Sequence, residues 1–155
     1  MKKILLIISF LRRSPKTIEE AIKIAKENDG ELIVFFVLDV DYANNVVDKL
    51  TDEGWIGGKP SEHLYTSLLK EYKLQAETQI ESIEQRAREM GVPVRSIIKS
   101  GSVLKETLRL ASLEDPDMIV ITRRKRSSLS RLIFGSMVKT LREEAKCEVK
   151  IIDSQ

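Results

Sequence analysis

The apolar positions of this chain follow two periods. Short runs are apolar almost without interruption, and between them apolar residues recur at three- and four-residue steps. The first run, Lys2–Ser9, is apolar on both faces through Ile4, Leu5, Leu6, Ile7 and Ile8, as a central parallel strand requires. Ser14-Pro15 then supplies a helix N-cap with proline at the first helical position. Glu19 and Glu20 are assigned to the first turn, where the helix dipole favours acids. Ile18, Ala21, Ile22 and Ala25 make the inward stripe, and Asn28-Asp29-Gly30 ends the helix. Glu31–Asp39 is a second strand, apolar throughout, with Asp39 and Asp41 at its C-terminal end.

Tyr42–Lys59 has no clear period and holds the only tryptophan, Trp55, in a Gly-rich turn. It reads as a long excursion at the strand ends, a lid or a contact surface. Ser61 caps a long helix to about Met90, with Leu64, Leu68, Tyr72, Ala76, Ile80, Ile83, Ala87 and Met90 on one face. Gly91 is its stop and Pro93 lies just beyond. Val94–Lys99 is a third strand whose leading proline suits a sheet edge. Gly101-Ser102 begins a shorter helix, with Leu104, Leu108 and Ala111 inward and an end near Asp115-Pro116. Met118–Thr122 is the fourth strand. Gly135-Ser136 opens the last helix, with Val138, Leu141 and Ala145 inward, and Cys147–Ile152 is a fifth, alternating strand. Strands alternating with helices predict an α/β fold, a five-stranded open parallel sheet with helices on both faces.

At 155 residues the chain is most simply a single domain over 1–155. Its net charge of +2 excludes a polycation, but the basic charge is local: between Met118 and Arg142 stand seven Lys/Arg and no acid. Such a field attracts anionic partners. One cysteine, Cys147, excludes an internal disulfide framework, and one histidine, His63, leaves little for metal binding or His-based triads. The opening MKKILLIISF lacks a cleavage site and meets Arg12-Arg13 at once, so it reads as a strand rather than a signal peptide. No stretch approaches the roughly 18 apolar residues of a spanning helix. The expected compartment is the cytoplasm, with no membrane contact.

The stretch Asp117–Ser136 carries the most specific signal. A strand leads into Arg123, Arg124, Lys125 and Arg126, then the run Ser128–Arg131, then Leu132-Ile133-Phe134 and Gly135-Ser136. On these residues, and on Cys147 at the last strand, the chain resembles the universal stress protein family over its whole length. The resemblance implies an adenine nucleotide alpha hydrolase-like fold with strand order 3-2-1-4-5. The switch-point crevice then lies between the first and fourth strands, where Ser9–Ser14 meets Thr122–Gly135. It also implies a homodimer formed through the last strand, Cys147–Ile152. Nucleotide-binding members carry Gly, two residues, Gly, nine residues, then Gly-Ser or Gly-Thr. On this chain those positions are Thr122, Lys125 and Gly135-Ser136. Two glycines that let backbone amides approach phosphate are therefore replaced. The family's aspartate after the first strand falls on Ser9.

The family positions thus place a cofactor site at Ser9, Val37, Thr122, Lys125, Gly135, Ser136 and Met137, with the backbone around Val37 toward the base. The expected function is that of a stress-response binding or adaptor protein of the branch lacking the ATP-binding glycines. No cofactor, no metal and no catalytic residues are expected. The alternative is a switch or slow ATPase holding ATP, AMP or another phosphate-bearing ligand. There Arg12, Arg13, Arg123, Arg124, Arg126 and Arg131 act as anion candidates beside a helix start at Gly135-Ser136. Aromatics able to stack bases are few, and Phe10 and Phe134 read as core, so nucleic acid is not an expected partner. Asp39, Asp41 and His63 read as structural or surface residues, Cys147 as a small buried apolar group.

Overall fold

The computed structural model describes residues 1–10, 12–39, 61–124 and 128–154, and within them all side chains except those of residues 61, 62 and 128–133. Five strands, β1 (Lys3–Ile8), β2 (Glu31–Asp39), β3 (Val94–Gly101), β4 (Met118–Arg123) and β5 (Glu148–Asp153), form one sheet in the order β3-β2-β1-β4-β5. Every pairing is parallel. The connecting helices are α1 (Pro15–Glu27), α2 (Ser61–Glu89), α3 (Val103–Glu114) and α4 (Ser128–Glu144).

Because successive residues of a strand face opposite ways, the sheet has two cores. Ile4, Leu6, Ile8, Val34, Phe36 and Val120 pack against α1 and α2, where Ala21, Ile22, Ala76, Ile80, Ile83 and Ala87 are buried. Leu5, Ile7, Ile33, Phe35, Val37, Ile119 and Ile121 pack against α3 and α4. The double-sided apolar character of β1 and β2 follows from this sandwiching.

Local signals explain most boundaries. Ser14 Oγ accepts the Thr17 N–H at 3.1 Å as the cap of α1, with Pro15 at its start. Gly91, at φ 74°, lets α2 turn out, and the Val92 N–H returns to Ala87 O at 2.9 Å. Ser102 caps α3 and Asp115, at φ 49°, ends it.

The structure corrects several expectations. Glu19 and Glu20 lie beyond the first turn of α1, which holds no acid. They pair across the fold instead, Glu19 with Arg86 at 2.8 Å and Glu20 with Lys150 at 3.6 Å. The buried positions of α3 are Val103, Thr107, Leu110 and Ala111, with Leu104 and Leu108 at the flank of that face. β5 is Glu148–Asp153, so Cys147 precedes it. The largest correction concerns α4: it starts at Ser128, and Gly135-Ser136 lies inside it rather than at its head. Phe134, Val138 and Leu141 share its buried face, and burial of Phe134 draws the turn before Gly135 into the helix. That gain exceeds the ~1 kcal/mol that an interior glycine costs.

Candidate functional site at the carboxyl ends of β1 and β4

The chain runs from β1 to β2 on one side of the sheet and enters β4 on the other, so a crevice opens between β1 and β4. Its floor is polar. Ser9, 1% exposed, closes a turn in which the Arg12 N–H donates to Ser9 O at 3.1 Å and Ser9 Oγ at 3.2 Å. Thr122 Oγ1 donates to Thr17 Oγ1 at 2.8 Å, and Thr17 Oγ1 is 2.8 Å from Ser14 Oγ. Thr17 and Thr122 are both fully buried. The Ser14–Thr17–Thr122 hydroxyls therefore ground the start of α1 on the end of β4.

The lid of the crevice is cationic and aromatic. The Arg12 guanidinium carbon lies 4.6 Å from the centroid of the Phe134 ring, a cation–π contact. Burial and then the charge of Arg124 lower the Arg12 pKa, and Asp39 opposes them. Arg12 and Arg124 thus share one positive neighbourhood. Arg13 and Arg123 leave it. Arg13 lies over Phe10, 5.2 Å from its centroid, and borders a groove between α1 and α2. Arg123 makes a two-point contact with Asp153, Nε to Oδ1 at 2.5 Å and Nη2 to Oδ2 at 3.0 Å. That carries it to β5.

The remaining candidates disperse. Val37 is fully buried among the residues facing α3 and α4, and Met137 packs partly buried against the same core. Gly135 and Ser136 are exposed on α4, and Ser136 O accepts the Thr140 hydroxyl at 3.1 Å. Inside a helix their amides serve the helical ladder, so they form no oxyanion-receiving helix start. Lys125 and Arg126, and Asp41 and Trp55 within or beside Tyr42–Lys59, lie outside the described residues, as does the Arg131 side chain. His63 is exposed near the start of α2. Cys147 is half-buried, and burial, then Asp115 and Asp117, push its thiol pKa up, which keeps it protonated. Among the described residues no group of three or more His, Cys, Asp or Glu could hold a metal ion, and no helix is long and apolar enough to cross a membrane.

The sequence reading missed two features. Thr17 is central to the floor, and its signal was its place three residues after the Ser14 cap. A cleft of about 800 Å³ lies along α4 and β5, lined by Arg123, Phe134, Gly135, Val138, Lys139, Arg142, Glu143 and Ile151. Gly135 faces this cleft, where an added Cβ would meet nothing within 4 Å.

Fold and crevice together define an open, doubly wound α/β protein of nucleotide-binding architecture. More specifically, residues 1–153 match the family model described as Universal stress protein family, and the chain belongs to that family. A universal stress protein of Methanocaldococcus jannaschii is 27% identical over 134 residues, covering 86% of this chain and 71% of that protein. Universal stress protein UspA from Lactobacillus plantarum superposes with a TM-score of 0.72 at 17% identity over 97% of each chain. A family protein of Arabidopsis thaliana, solved with AMP bound, gives 0.59 at 16% identity over 100% of this chain and 93% of that one. At these identities the two structures establish the fold.

Proposed function

We propose that this chain acts in stress physiology as a small homodimeric binding or adaptor protein whose nucleotide site departs from the family's usual one. The supporting observation is the crevice itself: the Thr122 hydroxyl is spent on Thr17, and Arg12 lies over Phe134. By the family resemblance Thr122 stands at the first phosphate-loop glycine, and it lacks the backbone freedom that a glycine offers there. No catalysis is assigned to the site. Titration calorimetry with ATP and magnesium is expected to show no binding at micromolar concentrations; a micromolar Kd overturns this reading.

The homodimer forms through β5, the sheet edge beside the cleft of Phe134, Val138 and Ile151. An edge strand with an apolar groove next to it is self-complementary about a twofold axis. Sedimentation equilibrium is expected to give a dimer, and a monomer at all concentrations speaks against it.

A second reading rests on Arg12 and Arg124. Two guanidiniums that repel each other at a switch-point crevice are relieved by a phosphate-bearing ligand, and the Arabidopsis relative holds AMP. In this reading the protein is an anion- or nucleotide-dependent switch, or a slow ATPase, gripping its ligand by side chains. Purified protein then releases a nucleotide on acid extraction. An empty extract, together with no thermal shift from ATP, AMP or cyclic nucleotides, removes it.

A further inference from the structure

The opposite edge of the sheet carries a second set of unused chemistry. β3 is an outer strand paired only with β2. The Leu32 N–H donates to Pro93 O at 2.8 Å, which turns the backbone of Pro93, Arg95, Ile97 and Lys99 toward β2. By the alternation of a parallel ladder, Ser96 and Ile98 turn their N–H and C=O groups outward. No other described element pairs with that edge.

A groove flanks the edge on each face. On the α2 side, Glu77, Glu81 and Glu84 stand above Ser96 and Ile98 around a space of about 370 Å³. The spacing puts the three acids on one side of the helix. Glu84 accepts the Ser96 hydroxyl at 3.1 Å. Glu77 and Glu81 have no hydrogen-bond or ion-pair partner among the described residues. On the α3 side, Phe35, Ile97 and Leu110 floor a space of about 210 Å³, Leu113, 82% exposed, walls it, and Lys99 and the Glu106–Arg109 ion pair, at 2.8 Å, complete its lining. One groove is therefore acidic and the other mainly apolar with its acid already paired, and a strand edge lies between them.

We propose that the β3 edge docks an extended peptide of another protein in which lysine or arginine alternates with apolar residues. Such a peptide adds a further parallel or antiparallel strand on the outward groups of Ser96 and Ile98. Its two-residue period sends basic side chains to Glu77 and Glu81 and apolar side chains to Ile97 and Leu113. Exposed Lys99 repels a basic side chain in that groove, where Glu106 is already held by Arg109, so charge selects the register. The surface lies at the sheet edge opposite β5, so pairing through β5 does not use it.

The test is a fluorescence titration of the full chain with a capped, labelled hexapeptide of alternating lysine and valine. Saturable binding is expected, weakened about tenfold or more in the Glu77→Gln/Glu81→Gln variant. Two further peptides carry N-methyl groups on either the lysine or the valine amides. One set of amides faces β3, so one peptide is expected to lose binding and the other to keep it. Equal binding of a peptide with three lysines followed by three valines overturns the proposal, as does parent-like binding of both N-methylated peptides. Ser96→Pro removes an outward N–H at an edge position that tolerates proline. If that variant lowers the mass of the protein alone in sedimentation while no peptide binds the native chain, a second copy occupies the edge and the peptide proposal falls.

Discussion

The two ends of the sheet are closed in different ways. At the amino end the charges pair. Lys3 Nζ reaches Glu114 O at 3.0 Å and its carboxylate at 3.3 Å, and Arg95 spans Glu31, at 3.1 Å, and Glu114. The Lys3 N–H donates to Asp117 Oδ2 at 2.8 Å, and the Asp117 N–H returns to Lys3 O at 2.9 Å. Lys3, Arg95, Glu31 and Glu114 thus match one another's charge across this end. At the carboxyl end hydroxyls bond to one another, Arg12 leans on an aromatic ring, and Arg124 adds like charge. The first end is saturated; the second keeps a positive field where the topology opens. In the nucleotide-dependent reading proposed above, the ligand belongs at this second end, beside Phe134 and the hydroxyl chain.

The strongest way to break this contrast is Phe134→Ala. It removes an aromatic side chain that is 3% exposed and serves both the α4 core and Arg12. The expected loss is about 3 kcal/mol or more, read from urea denaturation. A loss under about 1 kcal/mol means that α4 does not depend on this ring. Arg12 would then need another explanation for its position.

How far the sequence revealed this structure depends on how many signals agree at a point. The start of α1 was legible because Ser14, Pro15 and the stripe at Ala21, Ile22 and Ala25 all say the same thing. The strands were legible because runs such as Glu31–Asp39 are apolar on both faces. The start of α4 was not legible. Gly135-Ser136 imitates a cap, yet the amphipathic pattern continues backward through Phe134, and tertiary burial overrides the local cue. The site was half legible. Ser9 and Thr122, both named from the sequence, do lie at the carboxyl ends of β1 and β4. The Thr17–Thr122 bond links positions 105 apart in sequence, which no local pattern encodes. The paths of Arg13 and Arg123 away from the crevice likewise depend on Phe10 and Asp153.

The hydroxyl chain is sharpened by two substitutions of unequal cost. Thr17→Val leaves the Thr122 hydroxyl buried without its acceptor and removes a partner of Ser14, a loss expected near 2 kcal/mol. Thr122→Val leaves Thr17 still bonded to Ser14 and should cost about 1 kcal/mol. A double-mutant cycle from thermal melts measures the coupling. Equal single costs with no coupling would show that the floor of the crevice is not held by this bond.

The start of α1 and the interior of α4 give opposite signs. Ser14→Ala deletes the acceptor of the Thr17 N–H and is expected to destabilise by about 1 kcal/mol. Gly135→Ala lies in a helix interior, with open space around the new Cβ, and is expected to stabilise by about 0.5–1 kcal/mol. Thermal denaturation of both variants in one buffer checks the pair. Destabilisation by Gly135→Ala would restore Gly135 as a special backbone position and with it a helix start near Ser136.

The smallest expected effect belongs to the saturated end. The Arg95 hydrogen bond, foremost, and Lys3 hold the Glu114 carboxyl at a pKa of about 2, against its ordinary 4.5. A carboxylate depressed in the folded state contributes stability above its unfolded pKa and loses it as pH falls through the folded value. The contribution of Glu114 is therefore complete above pH 4.5 and disappears between there and about pH 2. Arg95 is substantially exposed, its side chain at 40%, and solvent screening limits the contribution to below about 1 kcal/mol. Glu114→Gln should lower stability slightly at neutral pH and match the native chain near pH 2, in denaturant titrations across that range. The hydroxyl chain of Ser14, Thr17 and Thr122 holds no group that titrates in this range, so Thr17→Val and Ser14→Ala should cost the same at pH 7 and pH 3. If their cost also vanishes in acid, the two ends are coupled and the contrast between them fails.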